Sequence, residues 1–490
     1  MAANRRLHAL TARLLEHPLK GVSDLIPGYT TLYCEYDARV LTERKVRNWL
    51  NGHLQVLTAP PAGRLVDIPV SYDGEDLAEV ARRSGLGVGE VVARHAGATY
   101  HVYALGFTPG FPFMGEVDEA LRLPRQRAPR PRVPAHSVAI ANAQTGIYPT
   151  ASPGGWNLLG RALKSVYDPH RDPPFLVVPG DRVRFQPAHG APLPEPESYE
   201  LLPAEPRHPL LKVLEPGLLD LVLDSGRFMV GRFGLSRSGP LDARSARHAN
   251  AFVGNPASAP LVEFNVTGAT LEALQDGVVA FAGWGMRPVL NGQELAPFAS
   301  FALYRGDVLS FKPAAQGSRG YLSLAGGVES GRFMGSASVD LRGKIGRPLS
   351  AGDVLGTGLP RKVRPGFGFR PYFNAKEPVS LRLLPGPQAS SHALEALSSG
   401  AFTVRRADRM GIHLEGPYVP GGDVLSEAVP LGALQVTSGG SPILLMHDRG
   451  TLGGYDKPAL LHPADLPRAA QLRPGDRLRF LVSSPGPSRR

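Results

Sequence analysis

Cysteine is almost missing: the chain of 490 residues has one, Cys34. A single thiol excludes an internal disulfide framework, a zinc site built on cysteines and a CxxC redox pair. It suits a reducing cytoplasm. Cys34 sits in an alternating stretch, residues 30–36, and reads as a small apolar strand residue rather than a nucleophile. Long apolar runs are missing too. No window reaches the ~18 apolar residues of a membrane span. The first 20 residues carry basic side chains without a continuous apolar core, so neither a signal peptide nor a span is read there. Also absent are GxxxxGK[ST], HExxH, Cys/His metal spacing and GxSxG. Those gaps exclude a P-loop and a nucleophile elbow and leave no metal site to expect. His95 and His101 fall in different predicted elements and are poor metal partners.

Glycine and proline are plentiful, at 57 and 48 residues. Together they stay below the roughly 25–30% of low-complexity chains. Frequent turns between short strands account for them and exclude a coiled coil or long-helix bundle. The length predicts about three domains. Lys and Arg outnumber Asp and Glu by 54 to 43, a net charge of +11. The arginines are scattered, and the densest run, residues 122–132, is broken by prolines that bar a helix. It reads first as a solvated loop and second as a loop drawing anionic substrates such as ATP or carboxylates. Nucleic acid is not expected as a partner, nor a membrane.

A turn followed by a strand recurs three times. Gly180-Asp181, Gly306-Asp307 and Gly475-Asp476 each precede a stretch alternating polar residues with Val, Leu or Phe. Such wide spacing predicts repeated domains rather than a solenoid. Residues 133–140 also resemble 429–436, and each is followed by a double-glycine turn with an aromatic, Gly154-Gly155-Trp156 and Gly453-Gly454-Tyr455. The reading is mainly β, with three related barrels after a small α/β domain. The expected boundaries are 1–92 for the α/β domain, 93–187 for the first barrel, 188–209 for a proline-rich linker, 210–330 for the second barrel and 331–490 for the third. Helices are predicted over 43–54, 76–84 and 89–95, with a strand over 64–72.

Several segments carry candidate chemistry. In residues 105–115, Phe107, Pro109, Gly110 and Phe111 form either a pocket wall for a flat ligand or a rigid core loop. Residues 144–156 bring Gln144, Thr145, Tyr148, Gly154, Gly155 and Trp156 together. Glycines there let backbone N–H groups approach carboxylate or phosphate oxygens. Asp242 reads as the cap of a helix whose Asn250 could face Glu263, a carboxylate between Val262 and Phe264. The last segment gathers Glu427, Gln435, Asp448, Gly453, Gly454, Tyr455 and Lys457. Acid and amine groups on a glycine turn make it the main catalytic candidate, with Asp448 or Glu427 as base and Lys457 offsetting oxyanion charge, or else a salt-bridged turn.

The stretch 106–160, with Phe-x-Pro-Gly-Phe-Pro-Phe and Gln-Thr-Gly-Ile-Tyr-Pro-x-x-x-Pro-Gly-Gly-Trp, resembles the B-type component of 5-oxoprolinase, also labelled allophanate hydrolase subunit 1 or the Kip-type kinase inhibitor. From Val213 on, the chain resembles the C-type component, also labelled allophanate hydrolase subunit 2 or the biotin-dependent carboxyltransferase family. The matching pieces include Asp224-x-Gly226-Arg227, Asp408-Arg409-Met410-Gly411 and Gly453-Gly454-Tyr455-x-Lys457. The chain resembles a fusion of the two. The resemblance implies cyclophilin-like barrels, a part for Arg227 in substrate binding, and ATP-dependent opening of 5-oxo-L-proline with an A-type 5-oxoprolinase partner in the cytoplasm. Its other labels imply a carboxyltransferase half using biotin, or a regulator of a sensor kinase. A homo-oligomer is compatible with it. His136 stands where the pattern usually has Gly, and residues 339–347 form a shorter loop than usual.

Overall fold

The computed structural model describes residues 2–57, 63–369 and 378–482. The three Gly-Asp turns fold alike. Gly180, Gly306 and Gly475 all take left-handed φ values, 96°, 88° and 93°, which glycine adopts without strain. In each turn the following aspartate accepts a backbone N–H three residues upstream: Val178 to Asp181 at 3.0 Å, Tyr304 to Asp307 at 2.8 Å and Arg473 to Asp476 at 2.8 Å. The strands that follow are Arg182–Pro187, Val308–Pro313 and Arg477–Val482. The repeat read from the sequence is therefore a repeated local structure.

The fold is mainly β, with cyclophilin-like barrels. Two barrels close with seven strands. In the first, Leu65–Ser71 pairs in parallel with Arg182–Pro187 and antiparallel with Asn157–Ala162. The third repeats this plan: Val379–Pro385 pairs in parallel with Arg477–Val482 and antiparallel with Leu452–Leu461. The middle unit is instead a six-stranded and a five-stranded sheet. Residues of both sheets share its core, where Phe311 lies 4.5 Å from Phe264 and 5.2 Å from Phe281, ring to ring.

Two boundaries differ from expectation. Strand Leu65–Ser71 and helices Leu77–Ser84 and Val88–Ala96, read as part of the small α/β domain, belong to the first barrel: Leu77, Val80 and Val91 lie in its core. Parallel pairing between strands more than a hundred residues apart leaves no local mark in a sequence. The middle unit also extends past 330, because Val354–Gly356 pairs with Pro209–Glu215. What remains N-terminally is a hairpin, Val22–Pro27 with Leu32–Tyr36, between helices Ala2–Glu16 and Glu43–Gln55. Cys34 is half-buried in that hairpin, and burial pushes its thiol up to about 11. No helix among the described residues is long and apolar enough to cross a membrane.

Two kinds of contact hold the units together. An apolar one joins the first and third barrels: Phe111, Tyr148 and Trp156 cluster with Ala428 and Leu452. Gly106 permits it, because a Cβ there would stand 2.6 Å from the Leu452 side chain. The other is ionic and joins the middle unit to the third barrel. Arg409, 6% exposed, reaches both Glu263 and Asp448, exposed 2% and 8%. Its Nε donates to Asp448 at 2.7 Å, one Nη donates to Glu263 and the other to the Gly239 carbonyl at 2.8 Å. Burial works against the guanidinium, and the two carboxylates more than reverse it, holding Arg409 charged. The Tyr321 hydroxyl donates to Glu263 at 2.8 Å, and Ser238 donates to Asp448 at 3.0 Å. Breaking such a buried set from one side leaves unpaired charge. Arg409→Met is expected to lower stability by about 3–5 kcal/mol in urea unfolding; a loss under ~1 kcal/mol contradicts this role.

Candidate active site

Where the first barrel meets the third, and where the middle unit's loop ahead of strand Val354–Gly356 approaches, two adjoining cavities open. One is about 390 Å³ and is walled by Phe107, Phe111, Tyr148, Trp156 and Tyr455. The other is about 540 Å³ and shares Phe107 and Pro153 with it. Phe111 is the hub of the aromatic wall: its ring lies 5.1 Å from Tyr148 and 5.4 Å from Trp156, both edge-to-face. Burial pushes the Tyr148 phenol up to about 12, against a hydrogen bond from the Trp156 backbone. The phenol is therefore a neutral wall at physiological pH.

The polar side of the cleft is cationic. Arg125 and Arg127 line the smaller cavity; Arg132, Arg342 and Lys344 line the larger, with Glu195 as the carboxylate among its lining residues. Arg342 donates to the Phe107 carbonyl, and at 3.4 Å to the Asp448 carbonyl, so it ties this middle-unit loop to both barrels. Burial lowers its pKa. Thr108 and Ser152 line the larger cavity, and their hydroxyl oxygens are buried without a hydrogen-bond partner. An aromatic floor, excess positive charge and unsatisfied hydroxyls suit a small anionic ligand. Among the described residues no group of three or more His, Cys, Asp or Glu is placed to hold a metal.

Two family models match this chain. One, carboxyltransferase domain subdomains C and D, covers residues 1–177; the other, carboxyltransferase domain subdomains A and B, covers 233–482. The chain belongs to the carboxyltransferase-domain family. The B component of 5-oxoprolinase from Escherichia coli O157:H7 is 42% identical over 195 residues, 38% of this chain and 87% of that protein. The C component of 5-oxoprolinase from Escherichia coli K12 is 32% identical over 289 residues, 56% of this chain and 92% of that protein. The crystal structure of TTHA0988 superposes with a TM-score of 0.94 at 57% identity, covering 98% of this chain and 97% of that one. A fusion of B-like and C-like regions thus fits this family member.

The structure sorts the predicted residues into three groups. Phe107, Phe111, Tyr148, Gly154, Gly155, Trp156 and Tyr455 meet in one cavity. Pro109 and Gly110 turn the loop behind it, where Gly110, at φ 76°, donates its N–H to the Phe233 carbonyl at 2.9 Å. Gln144 donates to the Tyr29 hydroxyl at 2.5 Å, and Thr145 faces the barrel interior, 2.9 Å from the buried His95 ring.

A second group lies on the third barrel beside Tyr455. Lys457 is fully buried; its Nζ donates to the Tyr455 carbonyl and to Glu427, 3.0 Å each. Gln388 also donates to Glu427, at 2.7 Å. Glu427 sits opposite Gly453 in the strand pairing, and Gln435 packs so close to Gly453 that a Cβ there would meet its Nε2 at 2.6 Å. Gly454 stands between Gly453 and Tyr455 on the same strand. Lys457 therefore reaches the cavity through the Tyr455 backbone rather than by its own amine.

The third group stands apart from both cavities. Both Asp448 oxygens are engaged by Arg409 and Ser238, so the carboxylate expected to act as base belongs to the clamp between units. Glu263 is its counterpart in that clamp. Asn250 accepts from Ser323 at 2.6 Å and donates to the Ala259 carbonyl at 3.0 Å, closing its helix onto the sheet. Arg227 is buried in the middle unit over Phe333 and donates to the Ser338 carbonyl. Among the wall residues missed by the sequence reading are Thr108, Ser152, Glu195, Arg342 and Lys344. Arg125, Arg127 and Arg132 come from the run first read as a solvated loop, and their lining of the cleft favours its second reading.

Glycine geometry separates folding from binding here. A Cβ on Gly155 has nothing nearer than 3.7 Å, whereas one on Gly106 collides with Leu452. Gly155→Leu should fill the aromatic cavity and keep the melting temperature, while abolishing ligand quenching of Trp156 fluorescence. Gly106→Ala should cost about 1–3 kcal/mol in stability; equal melting temperatures for the two variants would contradict this assignment.

Proposed function

We propose that this chain is the joined B and C component of an ATP-dependent 5-oxoprolinase, opening 5-oxo-L-proline to L-glutamate with a separate A-type 5-oxoprolinase partner. The observation that carries the reading is joint coverage. One chain spans 87% of a protein named as the B component of 5-oxoprolinase and 92% of one named as its C component, and its candidate cavity lies where the two regions meet. A lactam is a poor electrophile near neutral pH, which is why ATP is needed. The lactam oxygen takes the γ-phosphoryl group and ADP leaves. Water adds to the activated carbon, and the C–N bond breaks with a proton passing to nitrogen. A second water then releases phosphate from the acyl phosphate, leaving glutamate.

The cleft supplies matching chemistry. Arg125, Arg127, Arg132 and Arg342 offset phosphate and carboxylate charge, and the aromatic wall excludes water around the ring. Backbone N–H groups near Gly154, Gly155, Gly453 and Gly454 hold oxyanions. Glu427, paired with Lys457, handles a proton beside Tyr455. With Asp448 engaged in the clamp, Glu427 is the carboxylate left for that role.

The family description itself favours a second reading. As a carboxyltransferase half, the chain would pass a carboxyl group between urea or an amide and biotin carried on another chain. A cationic cavity between barrels fits a small molecule better than it fits the segment of a sensor kinase. The test mixes purified chain, an A-type 5-oxoprolinase protein, ATP and 5-oxo-L-proline. Glutamate release insensitive to avidin is expected, with Lys457→Met lowering kcat at least about tenfold. Avidin-sensitive turnover, or none with 5-oxo-L-proline, overturns the reading.

A further inference from the structure

The linker delivers a carboxylate into the larger cavity. Residues 188–209 lie between the two family matches and read as a tether. They are nevertheless anchored on both sides of Glu195. Upstream, the His136 Nε2 is hydrogen-bonded to the Pro194 carbonyl at 2.9 Å. Downstream, the Tyr199 N–H donates to the Lys344 carbonyl at 2.8 Å, and the Gly346 N–H donates to the Tyr199 carbonyl at 2.7 Å. His136 is itself left-handed, at φ 65°.

Three donors from two units converge on the Glu195 carboxylate. The Ala151 N–H donates to Oε1 at 3.3 Å, Lys344 Nζ lies 3.2 Å from the same oxygen, and Arg132 Nη2 donates to Oε2 at 3.1 Å. A planar oxyanion held by a backbone N–H, a guanidinium and an ammonium is how proteins bind carboxylates and phosphates. Here the oxyanion belongs to the protein. Thr108 and Ser152 line the same cavity, and their hydroxyl oxygens are buried without a hydrogen-bond partner. The Glu195 side chain is 30% exposed and Arg132 is 74% exposed. Ion pairs so open to water are weak and exchange readily.

We propose that Glu195 is the built-in occupant of an oxyanion subsite. The carboxylate or phosphate of an incoming ligand takes its place on the Ala151 N–H, Arg132 and Lys344, and the Glu195 side chain swings out. This regulates the same site as the proposed function and rests on that reading only for the cavity, not for the reaction. Joining the two regions by a linker thereby adds an element of ligand competition.

The test is calorimetric titration of the full chain with two probes, 5-oxo-L-proline and inorganic phosphate, at low salt. Wild type, Glu195→Gln and Glu195→Ala are compared, with Glu197→Gln in the same linker as the charge control and melting curves to establish folding. Both Glu195 variants should bind at least one probe roughly fivefold to tenfold tighter, while Glu197→Gln stays within about twofold. Adding Arg132→Ala to Glu195→Ala should erase the gain. A gain for 5-oxo-L-proline alone assigns the subsite to carboxylates, and a gain for phosphate alone to phosphates. Affinities for both probes unchanged, or no detectable binding by either folded variant, overturn the proposal. Glutamate release is scored separately, so its failure beside a retained gain counts against the reaction and leaves the subsite standing.

Discussion

One guanidinium shared by two buried carboxylates sets where everything else lies. Arg409 comes from the third barrel, Glu263 from the middle unit, and Asp448 from the strand end that leads toward Tyr455. The middle unit supplies each carboxylate with further donors, Tyr321 and the Leu241 N–H for Glu263 and Ser238 for Asp448. Taking three charges out of water is costly, and their mutual attraction mainly offsets that cost. The return is geometric: the charges are satisfied in one relative placement of the two units. Gln471 adds a second strut, accepting from the Ser318 and Arg319 N–H groups at 3.1 and 3.0 Å.

With that placement fixed, the cleft follows. The third barrel is held against the first, Leu452 fills the space left by Gly106, and Tyr455 completes the aromatic wall begun by Phe111 and Trp156. Arg342 then spans from the middle unit to the Phe107 and Asp448 carbonyls. The cationic wall is thus built from the first barrel and the middle unit, and the third barrel adds Tyr455 and Met410 to the cleft. Neither barrel alone carries the cavity, which gives a physical reason for joining B-like and C-like regions in one chain.

Much of this was legible in the sequence where the signal is local. The Gly-Asp turns, the Asp242 cap and the helix over 43–54 were each set by a few neighbouring residues, whereas Gly453-Gly454-Tyr455, expected as a turn, lies inside strand Leu452–Leu461. Trp156 and Tyr455, almost three hundred residues apart, were matched because the Gly-Gly-aromatic motif repeats, and they do share one cavity. Long-range partners were not legible. Asp448 stood near Lys457 in sequence, yet its partner is Arg409, 39 residues upstream, and the two groups serve different sites. Strand Leu65–Ser71 joins its barrel through pairing with a strand 117 residues away. Glu195 was hidden by composition, because a proline-rich segment reads as a tether whether or not it is anchored.

A ligand seated in this cleft touches the aromatic loop of the first barrel and the Gly453–Tyr455 stretch of the third simultaneously. Hydrogen–deuterium exchange of the full chain, with and without 5-oxo-L-proline and ATP, tests it most directly. The account predicts slowed exchange in residues 106–113, 150–156 and 452–457 together, with the Asp242 helix unchanged. Protection confined to one barrel, or to the middle unit alone, would contradict it.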